Sequence, residues 1–591
     1  MTFAALTAEQ EAVVLSDKTV FVTACPGAGK TRVIVEAFLR EGGRAQAAHG
    51  VLVLSFSRCA ADEIRKRCVR EGRASAFEYP HFVDTFDAFV SRFLVAPFRN
   101  RWCPGRPVTY LDSWDRLGVK VHLRLKNAPP PIPLSAFELK DVDAVALQPR
   151  NVEYAFRKAA AQHLDALNAE ANALRGKLLA RGYMTCADGR ALALSRVREA
   201  RGQPVLKAIA ARFPVAIVDE VQDCNSADLE ILERLMAAGV RTLAVGDPNQ
   251  DIYRFRGADG RRAARLFVSA SQLSLTGNHR STENICRFAS SVKLAAGSDT
   301  AVGRYGAEVS PVVVLGYEPP LDAGLGDAFV VRLRALRISA EDGAVLAYQE
   351  ADALAAVGRT KDAGASRVAK LASAIEVFRS AAPRPADLLA ATEHAESLLL
   401  AKHGLKCSSA LPKEVAQRNG IDSVALRTEA LRILCSLAKE SIGIGDASWL
   451  ERARCALDRA DMLLPTGTTC ASGQVLKKAG KEWRVPEAPC EFRGTATTVH
   501  AAKGREYPGV MVVLPPGKRT KQLLDEWETR QDSEGRAVLY VAATRAQRLL
   551  VLAAPNEYAS RVYSLASRDG AHCVLDPIAR QGVEEAVLVE A

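Results

Sequence analysis

Residues 19–38 read TVFVTACPGAGKTRVIVEAF, and the order of residue types in this stretch decides the fold around it. Val20-Phe21-Val22 is an apolar run that predicts a short buried strand, ACPGAGKT a glycine-rich loop, and Arg32 to Phe38 the opening of a helix. Strand, loop and helix in that order make a phosphate cradle. Gly27 and Gly29 let backbone N–H groups curl round an anion that a Cβ would block, and the helix presents its positive dipole end to it. Lys30 is placed to reach terminal phosphates and Thr31 to hold Mg²⁺. The P-loop pattern has glycine where this chain has Ala24, so the nucleotide-binding stretch Ala24, Cys25, Pro26, Gly27, Ala28, Gly29, Lys30, Thr31 and Arg32 is a variant of it.

Working outward, Leu6-Thr7-Ala8-Glu9-Gln10 precedes the loop; Thr7 is a helix cap, and the Gln10 amide offers the donor and acceptor that a purine edge requires. Val51 to Ser57 predicts a second buried parallel strand, with Phe56 near its end, where open α/β sheets bind ligands. Phe82 to Phe89 gives a short strand and a turn that offers Thr85 and Phe86 to a phosphate and a base. The sheet resumes at Val215-Ala216-Ile217-Val218, which runs straight into Asp219 and Glu220. Two acids at a buried strand's carboxyl edge fit a metal ligand, Asp219, and a residue that polarises water, Glu220. A further strand, Leu243 to Val245, leads to Gln250, near enough to a strand end to sense a γ-phosphate. Tyr253, Arg254, Phe255 and Arg256 then interleave aromatics with cations, which suits stacked bases and backbone phosphates.

The bulk numbers set limits. A chain of 591 residues is too long for one core, and ~150 residues per domain gives about four units. The 79 Lys+Arg against 68 Asp+Glu leave a net charge of +11, which favours a polyanionic partner. The start MTFAALTAEQEAVV lacks a signal peptide's pattern and no apolar run is long enough to span a bilayer, so a cytoplasmic location is expected. Thirteen Cys without a C-x-x-C pair fit reduced thiols, neither a disulfide frame nor a zinc site.

Two stretches interrupt the strand grammar. Residues 97–204 carry a Pro-rich loop (Pro129, Pro130, Pro131, Pro133) and Ala/Leu/Arg-rich helical text, and residues 349–487 are again helical. A second α/β unit is expected to begin near Leu273, with Arg280 ahead of a helix, strands at Val312 to Leu315 and Ala344 to Ala347, sheet grammar over Val499 to Leu514, and, in Val538 to Val551, another strand followed by Thr544-Arg545.

Taken in order, Leu6 to Gln10, ACPGAGKT, FSRCAADEI, DTFDAF, DEVQD, VGDPNQDIYRFRGAD, LTGNHRS, TVHAAKGREYP and LYVAATRA resemble the successive motifs of superfamily 1A DNA helicases of the UvrD/Rep/PcrA type. The resemblance implies an α/β fold of two RecA-like P-loop domains, each with a mainly helical insertion. The first would comprise 1–96 and 205–271 with insertion 97–204, the second 272–348 and 488–560 with an atypical insertion at 349–487, and 561–591 would form a C-terminal tail. Carried over by position, it implies that Gln10 reads adenine, Lys30 and Thr31 hold phosphate and Mg²⁺, Asp219 binds the metal, Glu220 is the catalytic acid/base, Gln250 contacts the γ-phosphate, Arg280 and Arg545 are arginine fingers, and Glu506 meets the ribose. Phe56, Thr85, Tyr253, Phe255 and His500 would line a single-strand track, joined by Phe86 and Arg256.

The implied activity is ATP-dependent, DNA-stimulated translocation, 3′ to 5′, with ATP and Mg²⁺ as cofactors and single-stranded or tailed duplex DNA as partner. His279 stands where the family has Tyr, Asp87 where it has His, Arg58-Cys59 where it has Asn-Lys, and Arg505 where Leu is typical; the GIPY-type segment is absent from 349–487. The atypical second insertion keeps open a translocase subunit of a nuclease or anti-phage complex that unwinds little alone, while an ATP-gated DNA-binding module without turnover is opposed by the presence of Glu220, Gln250, Arg280 and Arg545.

Overall fold

The computed structural model describes residues 5–577 apart from 45–48, 57, 71–76, 102, 124–127, 142–143, 149–150, 154–155, 255–256, 295–296, 298, 360–366, 380–384, 406, 408–410, 440–446, 461–469 and 478–489. Its first sheet is all parallel. In chain order the strands are β1 (Val20–Ala24), β2 (Val51–Ser55), β3 (Phe82–Thr85), β4 (Val215–Val218), β5 (Arg241–Gly246) and β6 (Ser271–Leu275), arranged in space as β6-β1-β5-β4-β2-β3. A parallel sheet is covered on both faces, which is why its strands read as unbroken apolar runs. Val20, Val22, Val51, Val53, Ile217 and Val245 meet Val33, Ile34 and Phe38 of helix α1 (Lys30–Arg44) on one face, while Leu52, Leu54, Ala216 and Val218 meet Leu229, Leu232 and Leu235 on the other.

The second sheet repeats the plan with β7 (Val312–Tyr317), β8 (Gly343–Ala347), β9 (Thr495–Thr498), β10 (Tyr507–Val513), β11 (Ala546–Pro555) and β12 (Cys573–Pro577), in the order β9-β8-β10-β11-β7-β12 and again all parallel. The chain therefore folds as two RecA-like α/β lobes. Residues 322–327 and 350–492 form a separate compact unit, whose helices Arg367–Arg379, Pro385–Lys402, Ser423–Ala438 and Ala447–Asp458 close round Ile375, Leu399, Ile433, Leu434 and Trp449.

Three expectations need correction. Ser271–Leu275 completes the first sheet beside β1, in register Val20↔Ser271, instead of opening the second lobe, so the boundary falls later than 271. The stretch from Val538 is a helix, Glu534–Ala543, capped by the Ser533 hydroxyl, and the strand begins only at Ala546. Every residue from Arg536 to Ala543 is buried, so hydrophobic periodicity carried no signal there. Residues beyond 560 are more than a tail: Asn556–Ser567 is a helix and β12 pairs with β7. The 97–204 insertion has its long elements in the helices Leu164–Ala180 and Cys186–Arg198 and also carries short antiparallel pairs Lys120–Val121/Ile132–Pro133 and Phe137–Asp141/Ala144–Leu147 and a parallel pair Thr109–Leu111/Tyr183–Thr185. No helix among the described residues is long and apolar enough to cross a membrane.

Candidate active site

The glycine loop connects β1 to α1 as the residue order requires. Gly27 (φ +77°) and Gly29 (φ +81°) both occupy the left-handed region, and neither has room for a side chain. A Cβ on Gly27 would stand 2.6 Å from Arg280 Cβ and from Asn278 Oδ1; one on Gly29 would stand 2.9 Å from Gln10 Nε2. The loop is thus sealed from two sides. Gln10 is 2% exposed and donates to the Ala28 carbonyl (3.0 Å), while its Oε1 accepts from the Thr7 N–H in a capping box. The His279 N–H donates to the Gly27 carbonyl (3.0 Å), and Cys25 N–H to Leu275 O (3.0 Å). Ala24 and Cys25 are buried, Thr31 and Arg32 half-buried in the first turn of α1.

Facing the loop is the end of β4. Lys30 Nζ lies 3.2 Å from Glu220 Oε1, and Gln222 Nε2 donates to Glu220 Oε2 (2.6 Å). Glu220 has φ +51°, a conformation that costs a non-glycine residue of order 1–3 kcal/mol and persists where its surroundings impose it. Burial pushes the Asp219 carboxyl up to about 7, and the Glu220 charge adds to that against the pull of Lys30. Burial acts on Glu220 the same way, but Lys30 and Lys503 outweigh it and bring the carboxyl down to about 2. The pair thus concentrates its negative charge on Glu220. Asp219 Oδ1 is buried with no hydrogen-bond partner, an acceptor left open beside the loop. No group of three or more His, Cys, Asp or Glu among the described residues is arranged as a metal cage. One buried carboxylate oxygen without a partner fits Mg²⁺, which keeps several waters and relies on substrate phosphates rather than on an all-protein site.

The second lobe closes the crevice with two arginines. Arg545 is 2% exposed and spends its fork on Val541 O (3.1 Å), Arg505 O (3.2 Å) and Gln250 Oε1 (3.2 Å), and burial with the nearby Arg280 charge lowers it to about 10. Arg280 donates to Glu506 Oε2 (2.7 Å) and to Thr544 O (2.9 Å), while Asn278 Oδ1 accepts its backbone N–H (2.8 Å). Glu506 is exposed and also accepts from Gln547 (3.2 Å). Lys30, Asp219, Glu220, Gln250, Arg280 and Arg545 therefore surround one crevice.

On the neighbouring face, Tyr253 and His500 come together, with rings 5.9 Å apart, and His500 Nε2 lies 3.2 Å from Ile252 O. Phe56 is half-buried and stacks on Phe86 at 5.9 Å. Phe86 itself is 1% exposed and packs in the first core, so it presents no face to a base, and the expectation that it meets DNA is corrected. The Thr85 hydroxyl caps the following turn by accepting from Ala88 N–H (3.2 Å). Phe255 and Arg256 lie outside the described residues.

Several groups were not singled out from sequence. Asp247 accepts from Gln250 Nε2 (2.9 Å) and from the Tyr540 hydroxyl (3.3 Å) of the second lobe. Lys503 Nζ sits 2.7 Å from both Asp223 oxygens, 3.1 Å from Gln250 O, and 4.9 Å above the Tyr253 ring. Asp247 and Lys503 lie within the quoted VGDPNQ and AAKG segments, so a signal was present, but nothing in the text of one lobe says what the other brings to it.

A nucleotide loop walled by basic groups from a second parallel sheet defines a two-lobed P-loop protein. Residues 6–266 match the UvrD/REP helicase N-terminal domain, and residues 493–553 the UvrD-like helicase C-terminal domain. The chain belongs to the UvrD/Rep/PcrA-like superfamily 1 helicases. It is 28% identical over 293 residues to ATP-dependent DNA helicase PcrA of Bacillus subtilis, covering 48% of this chain and 38% of that protein. It is 26% identical over 302 residues to DNA helicase II of Escherichia coli, covering 48% and 39%, and 43% identical over 67 residues to the RecBCD enzyme subunit RecB of E. coli, covering 11% and 6%. The matched stretches thus span well under half the length of these relatives.

Proposed function

We propose that the chain is an ATP-driven motor on single-stranded DNA that couples hydrolysis to 3′-to-5′ movement and separates tailed duplexes. The observation that carries this reading is the bond from Arg545 of one lobe to Gln250 of the other, in the crevice that also holds Lys30 and Glu220. A group that reaches across the crevice stabilises charge only when the lobes are closed, so hydrolysis and lobe motion are linked.

In this reading the loop N–H groups and Lys30 bind the triphosphate, whose oxygens compete with Glu220 for the Lys30 ammonium. Glu220, ionised across the physiological range, orients and deprotonates the attacking water. Gln250 ties the nucleotide end to Arg545, and Arg280 and Arg545 face the charge that develops on the transferred phosphoryl group; such an arginine is worth ~10³–10⁵ in rate in other NTPases. Thr31 and Asp219 would hold Mg²⁺, which supplies charge neutralisation at the phosphates. Gln10 would have to exchange its bond to Ala28 O for adenine, and Glu506 its bond to Arg280 for ribose. Tyr253, His500 and Phe56 offer rings to successive bases.

The short similarity to RecB favours one second reading, a translocase subunit of a nuclease or defence complex. The test of the first is steady-state phosphate release with and without single-stranded DNA, paired with unwinding of a tailed duplex. DNA-stimulated release that is lost in Lys30→Ala supports the motor; stimulation that survives in Lys30→Ala refutes it. Stimulated release with no unwinding selects the subunit reading. Affinity for the strand should fall steeply between roughly 50 and 200 mM salt as counterions are released.

A further inference from the structure

A cavity of about 230 Å³ opens in the second lobe, where the carboxyl ends of β8 and β10 meet the helices α2 (Lys518–Glu528) and α3 (Glu534–Ala543). Its walls include Tyr348, Val499, Leu514 and Leu539, with Arg519 and Glu534 at polar positions. Three observations say what it takes.

The cavity continues the ring series of the candidate strand path. Tyr348 stands edge-on to His500, with centroids 5.7 Å apart, and His500 in turn adjoins Tyr253. The exposed Arg519 guanidinium lies 3.9 Å from the Tyr348 ring centroid, so a cation and an aromatic plane are already stacked at the mouth. Arg and Tyr faces hold bases of any sequence. Glu534, one of the lining residues, has an Oε1 that is buried with no hydrogen-bond partner. A buried carboxylate oxygen without a donor costs free energy that a ligand N–H recovers. The volume lies below the ~300–1,000 Å³ of sites for drug-sized ligands, which suits one planar heterocycle and not a dinucleotide.

We propose that this cavity receives one splayed base of the translocating strand, stacked at Tyr348 and Arg519, and that Glu534 accepts a hydrogen bond from its exocyclic amino group. A carboxylate takes a donor such as the cytosine amino group and is repelled by the carbonyl that thymine carries in its place. The strand path then has a base-discriminating step on the second lobe, separate from the sequence-tolerant stacking at Tyr253. The inference rests on the motor reading above.

The test is fluorescence anisotropy of the full chain with labelled dC20 and dT20 at one fixed salt concentration, alongside ATPase stimulation by each oligonucleotide. The wild type should bind dC20 about fivefold or more tightly than dT20. Arg519→Ala, an exposed position whose fold is checked by an unchanged thermal transition, should weaken both by roughly tenfold, the order seen on removing one stacking side chain. Glu534→Gln, whose amide both donates and accepts, should erase the difference between them. Equal affinities in the wild type, or variants that bind both oligonucleotides as the wild type does, would overturn the cavity's role while DNA-stimulated hydrolysis left the motor reading standing. No stimulation by either oligonucleotide would remove both.

Discussion

Lys503 and Asp223 form a buried ion pair between the lobes, with side chains 9% and 5% exposed and both carboxylate oxygens 2.7 Å from the ammonium. Replacing Lys503 with Met removes those two bonds and a third to Gln250 O, and strands a carboxylate. Taking one partner from a buried pair costs ~3–5 kcal/mol, most of it the desolvated charge left behind. Burial already pushes Asp223 up to about 6 against the pull of Lys503, and without the lysine it rises further. A carboxyl whose folded value is raised contributes stability at low pH that is lost as pH climbs through that value. The Lys503→Met penalty should therefore be ~3–5 kcal/mol at pH 8, and at pH 5, where Asp223 is protonated, fall to the ~1–2 kcal/mol expected for lost hydrogen bonds. The measurement is urea denaturation of the wild type, Lys503→Met, Asp223→Asn and the double variant at both pH values. Adding Asp223→Asn to Lys503→Met should recover most of the loss at pH 8. A penalty equal at both pH values, or a double variant as unstable as the sum of the singles, would refute the reasoning.

Gly29→Ala should destabilise the chain by ~1–3 kcal/mol, from left-handed strain and from displacing the Gln10 amide 2.9 Å away, and should raise the KM for ATP; a thermal melt and a Michaelis curve check both. Arg545→Lys keeps the charge but cannot reproduce three bonds made by a planar fork, so turnover should drop by ~10³ while nucleotide binding, followed by equilibrium titration, stays within a few-fold.

The strand-loop-helix order at Thr19 to Phe38 exposed the first lobe because each part carries its own local chemistry: β-branched residues, left-handed glycines and an amphipathic helix. The acids after Val215–Val218 were legible for the same reason, as a strand's end is visible in the text. Glu534–Ala543 was not, since a helix buried all round from Arg536 onward shows no polar face to set its period. Phe86 looks the same in sequence whether it meets a base or stacks on Phe56 and stands edge-on to Phe89, and only its burial decides. Lys503 belongs to the class of residue that sequence hides most completely, because its role is defined by an acid 280 positions away.

The arrangement of the second sheet also orders the protein's birth. Strand β7 sits between β11 and β12, so Val312–Tyr317 leaves the ribosome with both of its sheet neighbours still untranslated. At ~5–20 residues per second, that interval lasts on the order of tens of seconds. The first sheet needs nothing beyond Leu275 and can form meanwhile, whereas the nascent β7 offers bare backbone edges to any passing chain. Expression yield should therefore depend on whatever shelters that segment until Cys573–Pro577 arrives.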